Sequence, residues 1–331
     1  MLSYVIRRLL QMVLTLFVVS VLSFLIVVLA PGDPFAGQID PQSKPIDIER
    51  QRDKGGYDDP VFKKYTLFYT SFFSDLGNVF FPDSNYDWRL TSNNTKEPIL
   101  PTMWRKVMVT LPLVLVSTLI VWTLSFPVGI YSALRRGTWQ DQLITVLSYA
   151  LIAIPGFWLG LMVINLFTIK LGIPVISPQT LGVELEGPQS VMDRAWHVAV
   201  PATIFAFSGI AVMTRYVKGQ MLEVKGQDFI RTALAKGLDP DSVNYRHALR
   251  NAALPFITLL ATLLPSLIGG SIVFESIYAW PGMGRWVFEA VLTRDVFIVV
   301  TSLFVSAALT LIGVLIADIL YSVADPRIKL A

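Results

Sequence analysis

Side chains able to do chemistry are scarce in this sequence. Two histidines, His197 and His247, and no cysteine occur among 331 residues. That excludes a disulfide framework and a thiolate metal site, and it leaves too little for a zinc centre or a Ser/His/Asp relay. There is no His-Glu-x-x-His run and no Gly-Lys dipeptide. Neither a zinc-hydrolase helix nor the G-x-x-x-x-G-K-[ST] phosphate loop can be built from such a chain. What remains is the chemistry of polar groups set in apolar surroundings, namely Asn165, Ser271, Glu275 and Asp318. An ionisable group at membrane depth marks either a pathway or a hydrated or paired structural site. Asn165, Ser271 and Glu275 are the residues expected to line a pathway, with structure as the competing account for Glu275 and Asp318. His197, opening an apolar run, is expected at the membrane interface, and His247 at a polar surface.

The elements around these groups are apolar on a scale that soluble domains do not reach. The chain is 53% hydrophobic and 15% charged, with a mean hydropathy of +0.58, against about 25% charged in soluble proteins. Six apolar stretches, residues 9–30, 107–134, 143–171, 195–217, 254–277 and 296–323, each approach the ~20 residues a helix needs to cross a bilayer. The expected fold is therefore an all-α membrane protein of one domain, residues 1–331, with about six transmembrane helices. The first stretch follows Arg7 and Arg8 and is too long for a cleaved signal, so it reads as an uncleaved helix. Net charge is +3, and Lys and Arg in short inner loops explain it without nucleic acid. Arg7, Arg8, Arg135, Arg136, Arg327, Lys329 and the basic residues of 218–251 place both termini in the cytoplasm by the positive-inside rule, with 31–106 on the outer side. Helix breakers recur inside the spans at Pro112, Pro127, Pro155, Pro201 and Pro265, beside Gly269 and Gly270; kinked helices around a pathway and ordinary membrane-helix composition both accommodate them. Gly156 and Gly160 form a close-packing G-x-x-x-G. On the outer side, Phe62, Tyr65, Phe68, Tyr69, Phe72 and Phe73 share a helical stripe suited to the interface or to packing across spans; docking of a partner protein is the other reading.

The polar segment 218–251 is too regular to be a connector. Residues 227–236 favour a helix with Phe229, Ile230, Ala233 and Leu234 on one face. Gly237 suits the left-handed closing position. Asp239 and Pro240 form an N-cap and first-turn pair that starts a second short helix over 242–251. Such a helix-turn-helix either lies on lipid headgroups or docks into a partner protein, where small Ala233, Ala235 and Gly237 allow close approach.

The residues of that loop, FIRTALAKGLDPDSVNYRHALRNAALP, resemble the coupling loop of permease subunits in ATP-binding cassette importers of the oligopeptide, dipeptide and nickel type. The resemblance extends along the chain through YVIRRLL, LAPGDP, YDDPVFKKY, SDLGN, ALRRGTWQD, IPGFWLG, FESIYAWPGMGR and ADPRIKL. The early PGDP is similar to the B-type member of the permease pair. Arg231 and Thr232 stand where the general importer signature has Glu and Ala, and Pro255 lies further downstream than in that signature, as in the peptide branch. Residues 79–98 have no counterpart and read as an insertion.

The resemblance implies a type I importer permease fold and a non-catalytic subunit. It implies as partners a homologous C-type permease, two ATP-binding subunits that hold ATP and Mg, an extracytoplasmic solute-binding protein and the lipid bilayer, with no cofactor in this chain. Thr232, Ala233, Ala235, Lys236, Gly237, Leu238 and Asp239 are then expected to couple to an ATPase. The expected location is a bacterial or archaeal plasma (inner) membrane. Peptides are the expected cargo, with nickel complexes, glutathione or oligosaccharides as alternatives. A secondary transporter working without ATPase partners is the competing class; its usual internal repeats and deep charges are not evident here.

Overall fold

In hydrocarbon every backbone N–H and C=O must find a partner within the chain, and a helix is the local way to do so. The computed structural model describes residues 2–29, 60–83, 86–92, 95–180, 187–269 and 272–324, and these are overwhelmingly helical, with one isolated bridge between Thr91 and Pro98. The elements are α1 (Leu2–Val28), α2 (Val61–Phe80), α3 (Ile99–Leu134), α4 (Trp139–Ala153), α5 (Gly156–Ile164, prolonged as a π-turn over Asn165–Lys170) and α6 (Gly187–Lys225). They continue as α7 (Asp228–Ala235), the interrupted rod α8 (Pro240–Ile277), α9 (Met283–Leu292) and α10 (Val296–Ala324). Among the described residues five helices are long and apolar enough to cross a bilayer, and α4 with α5 makes a sixth crossing if the two are one span.

They are one span by topology. Along the α3–α6 seam Val121 faces Gly209, Ser125 Oγ donates to the Ile210 carbonyl at 3.1 Å, and Gly129 faces Thr214 and Val217. Residue numbers rise together, so the two helices run parallel, and the chain between them must cross back once. The sequence reads residues 143–171 as one apolar stretch with Pro155 inside it, and the crossing bends there by 82°. Pro155 cannot donate to the helix and holds Ile154 in an extended conformation, which ends α4 one residue earlier.

Small residues set the closest contacts. A Cβ at Gly129 would sit 2.7 Å from the Thr214 carbonyl oxygen, and one at Gly313 would collide with the Ala261 carbonyl oxygen. The second contact has a sequence cause. Pro265 cannot donate to the carbonyl four residues before it, which is that of Ala261. Helix α8 breaks there, between Leu254–Leu260 and Leu263–Gly269, and α10 packs onto the exposed backbone. The G-x-x-x-G of α5 faces aromatic rings, with Gly156 against Phe274 and Gly160 against Tyr278.

One end of the bundle is closed by a polar clasp. Tyr4 Oη donates to Asp318 Oδ2 at 2.8 Å, Arg8 Nε donates to Tyr4 Oη at 2.8 Å, and the Arg8 guanidinium lies 3.0 Å from the same carboxylate. The start of α1 and the end of α10 therefore share one face. Toward the other face the α2 stripe divides. Phe68, Tyr69 and Phe72 are buried against Phe24, Phe297 and Phe304, while Phe62 and Phe73 stay exposed. The stretch read as an insertion is fastened into the fold. Buried Asp75 accepts from Tyr86 Oη (2.8 Å), Arg89 N (3.0 Å) and Leu90 N (2.7 Å), and Ser92 Oγ donates to Asp295 at 2.7 Å, at the head of α10.

Candidate functional site

The helical loop hangs from α6. That helix has 39 residues and so extends about 58 Å, well beyond the ~30 Å of hydrocarbon. Lys218 pairs with Asp141 at the head of α4, whose carboxylate also accepts from Ser132 Oγ and from Gly137 N, so α6 is braced where it leaves the bundle. Beyond it, α7 buries Ile230 and Ala233 with Val224, Val243, Ala248 and Phe256. Phe229, Leu234, Leu238 and Tyr245 stay exposed. The expected four-residue face thus splits into an inward pair and an outward pair. Ala233 belongs to the inward one and is not available to a partner.

The turn forms as its residue types require. Gly237 has φ +78°, a region closed to most side chains, and its N–H reaches the Leu234 carbonyl at 2.9 Å while Leu238 N reaches the Ala233 carbonyl at 3.3 Å. Asp239 caps the next helix, its Oδ2 accepting from Ser242 N at 3.0 Å, with Pro240 at the first position. The second helix opens at Pro240 and passes through a π-turn over Val243–Ala248, an irregularity with no sequence signal. Thr232, Ala235, Lys236, Gly237, Leu238 and Asp239 are all exposed.

A cavity of about 290 Å³ lies at mid-depth between α3, α6 and α8, bounded by Ser117, Thr118, Trp122, Met213, Thr262 and Ser266 among others. Its end nearer the loop is lined by a cluster of rings: Trp122 stacks on Phe126 (5.7 Å), Phe126 lies tilted against Phe256 (4.8 Å), and Tyr216 meets Phe256 edge-on (5.0 Å). Phe256 also belongs to the cluster that anchors α7.

Residues 125–330 match the family of binding-protein-dependent transport system inner membrane components, and residues 1–114 match the N-terminal region described for such membrane components. The chain belongs to this family. It is similar over 99% of its length to the oligopeptide transport system permease protein AppB of Bacillus subtilis (38% identical, 100% of that protein). It is similar to the di/tripeptide permease DppB of Pseudomonas aeruginosa (33%, 99% of both chains) and to the glutathione permease GsiC of Escherichia coli (31%, 99% of both). The protein is a multi-pass membrane subunit of a binding-protein-dependent transport system.

Of the pathway residues expected in this transport component, neither Asn165 nor Glu275 lines the cavity. Glu275 is wholly buried. Its carboxylate accepts from Thr110 Oγ1 and from Arg285 N, both at 2.8 Å, and Thr110 Oγ1 in turn accepts from Met283 N at 2.8 Å. Glycines 282 and 284 leave no room for a Cβ against it. Glu275 therefore holds the AWPGMGR turn. Trp280 is buried with its indole N–H on the Val109 carbonyl at 2.8 Å. Asn165 is exposed where α5 passes into its π-turn, away from the cavity, and Ser271 lies outside the described residues. Asp318 is engaged in the clasp, and His197, expected at the interface, is fully buried with Nδ1 2.8 Å from the Asp193 carbonyl. The cavity residues were missed because single serines and threonines in apolar helices carry no spacing signal. They can satisfy themselves on their own helix, and only the packing of three helices brings them together.

Proposed function

We propose that this chain is one of two paired permeases in an ATP-driven peptide importer, lodged in a bacterial or archaeal plasma membrane with both termini and the helical loop in the cytoplasm. The observation that carries this reading is the loop itself: an exposed turn, 232–239, with Leu234 and Leu238 facing outward, mounted on an inward face that is continuous with the bundle core. Exposed apolar residues on a rigid mount are what a protein partner buries. The partner is an ATPase subunit, for the chain has no phosphate-binding loop of its own. Thr232, Ala235, Lys236, Gly237, Leu238 and Asp239 make the contact, and Ala233 sets the turn from behind. Closure of two ATPases on ATP and Mg displaces the turn, α6 and the loop end of α8 move with it, and the bundle rocks between outward-open and inward-open states. Peptide cargo is supported by the relatives named for peptides and for glutathione, itself a small peptide. The basic residues Arg135, Arg136, Arg231, Lys236, Arg246 and Arg250, exposed around the loop face, support its cytoplasmic placement.

Affinity purification of the chain from its native membrane in mild detergent tests the assignment. A second permease, ATPase subunits and a solute-binding protein are expected to co-purify, with ATP hydrolysis rising on addition of the binding protein. Isolation as a lone chain that transports without ATP would overturn it in favour of a secondary transporter.

A further inference from the structure

We infer that the cavity between α3, α6 and α8 is a cargo subsite that receives N–H donors of a peptide main chain and discriminates little by side-chain charge. This rests on the importer reading and gives its pathway a chemistry.

Ser117 Oγ donates to the Val114 carbonyl (3.0 Å), Thr262 Oγ1 to the Leu259 carbonyl (2.7 Å) and Ser266 Oγ to the Leu263 carbonyl (2.6 Å). Each hydroxyl has thus spent its single proton on its own helix, and its oxygen is left as an acceptor. A row of acceptors suits the amide and ammonium N–H groups of a peptide. Lipid tails have no group to offer these oxygens, so the occupant they fit is polar. Among the described residues, no ionisable one borders the cavity. A single buried charge would favour one sign of cargo and repel the other, so its absence from the lining admits acidic, basic and neutral peptides alike. Trp122 supplies a flat apolar floor, and its ring contacts through Phe126 to Phe256 reach the cluster that anchors α7. Movement of the loop is therefore transmitted to the floor of the subsite. The volume, about 290 Å³, is at the low end for a small-molecule pocket. That fits one half of a passage completed by a second permease.

The test uses the complete importer in proteoliposomes, with uptake of two labelled tripeptides that differ only in a central Lys or Glu. The unaltered importer is expected to take up both at similar rates. Thr262 is exposed to the cavity, and Thr262→Asp is expected to shift the Lys-to-Glu uptake ratio about tenfold toward Lys, with Thr262→Lys shifting it the opposite way. Unchanged ratios in both assembled variants would overturn the subsite and would mean that lipid fills the cavity. Loss of the partner permease on purification of both variants would overturn it too, because a partner helix then occupies the space. A second measurement needs no variant. A peptide carrying a photo-crosslinker, trapped in the unaltered complex, is expected to label segments 114–122 or 259–266, and labelling confined elsewhere would refute the proposal. Failure of the unaltered importer to take up either peptide is a different result; it removes the peptide reading itself and the subsite with it.

Discussion

Gly237 and Glu275 show how differently two residues of one motif set can act. Gly237 faces open space: a Cβ there meets nothing within 4 Å. Its requirement is purely the backbone angle, which costs an ordinary residue about 1–2 kcal/mol and a β-branched one more. Gly237→Val is therefore expected to leave the bundle folded while distorting the turn, so that ATP hydrolysis continues with uptake reduced at least about tenfold. Gly237→Asn, which tolerates the left-handed region, should retain most of the uptake. Measuring both rates in one reconstituted preparation checks this, and normal coupling in the valine variant would remove the turn from the ATPase contact. Glu275 belongs to stability instead. Glu275→Ala strips the acceptor from two buried donors, a loss of about 2–4 kcal/mol, and should lower the thermal midpoint in detergent. The molecules that remain folded should still couple hydrolysis to uptake. The sequence marked both residues as notable, but hydropathy locates Glu275 only by depth, and the carbon-free space at Gly282 and Gly284 that holds its carboxylate appears only in three dimensions.

Among the elements, the most constrained contact is the one between the broken rod α8 and α10. Gly313→Val must push its side chain into the Ala261 backbone, where no flexible side chain can yield. About 1–3 kcal/mol of destabilisation or more is expected. Thr310→Val, on an exposed face of the same helix, should stay within about 0.5 kcal/mol. Parallel thermal melts of the two purified variants check the difference. The spans at α1, α3, α6, α8 and α10 were legible in the sequence because hydrophobic length is a strong signal. Their ends were less so: α3 and α6 run past their apolar stretches, since helix continues wherever its backbone pairs, whether or not lipid surrounds it. Pro155 announced a break, but proline fixes one dihedral angle and not the 82° of the bend, which leaves α5 packed on the Phe274 and Tyr278 rings of α8.

For the whole molecule, sidedness can be read with unusual ease because the chain contains no cysteine. Thr138 and Gln189 are exposed and lie at opposite ends of the crossing made by α4 and α5. In intact cells, with the outer membrane made permeable where there is one, a membrane-impermeant maleimide is expected to label Gln189→Cys. Thr138→Cys should be labelled only after the inner membrane is opened. The reverse pattern would invert the orientation and place the helical loop outside, where no ATPase could meet it. The family was legible from strings of residues spread along the chain, and the helical loop from its capping chemistry. The cavity was not, for it belongs to no string.

The clasp between α1 and α10 also bears on how such a protein is made. Tyr4 and Asp318 are 314 residues apart, so the contact cannot form until nearly all of the chain has left the ribosome. Throughout synthesis the first helix waits in the bilayer with Arg8 lacking its carboxylate partner and much of its packing surface uncovered. A nascent product cut short before α10 would keep that charge and that surface bare, and would present to membrane proteases a mark of incompleteness that the finished chain conceals.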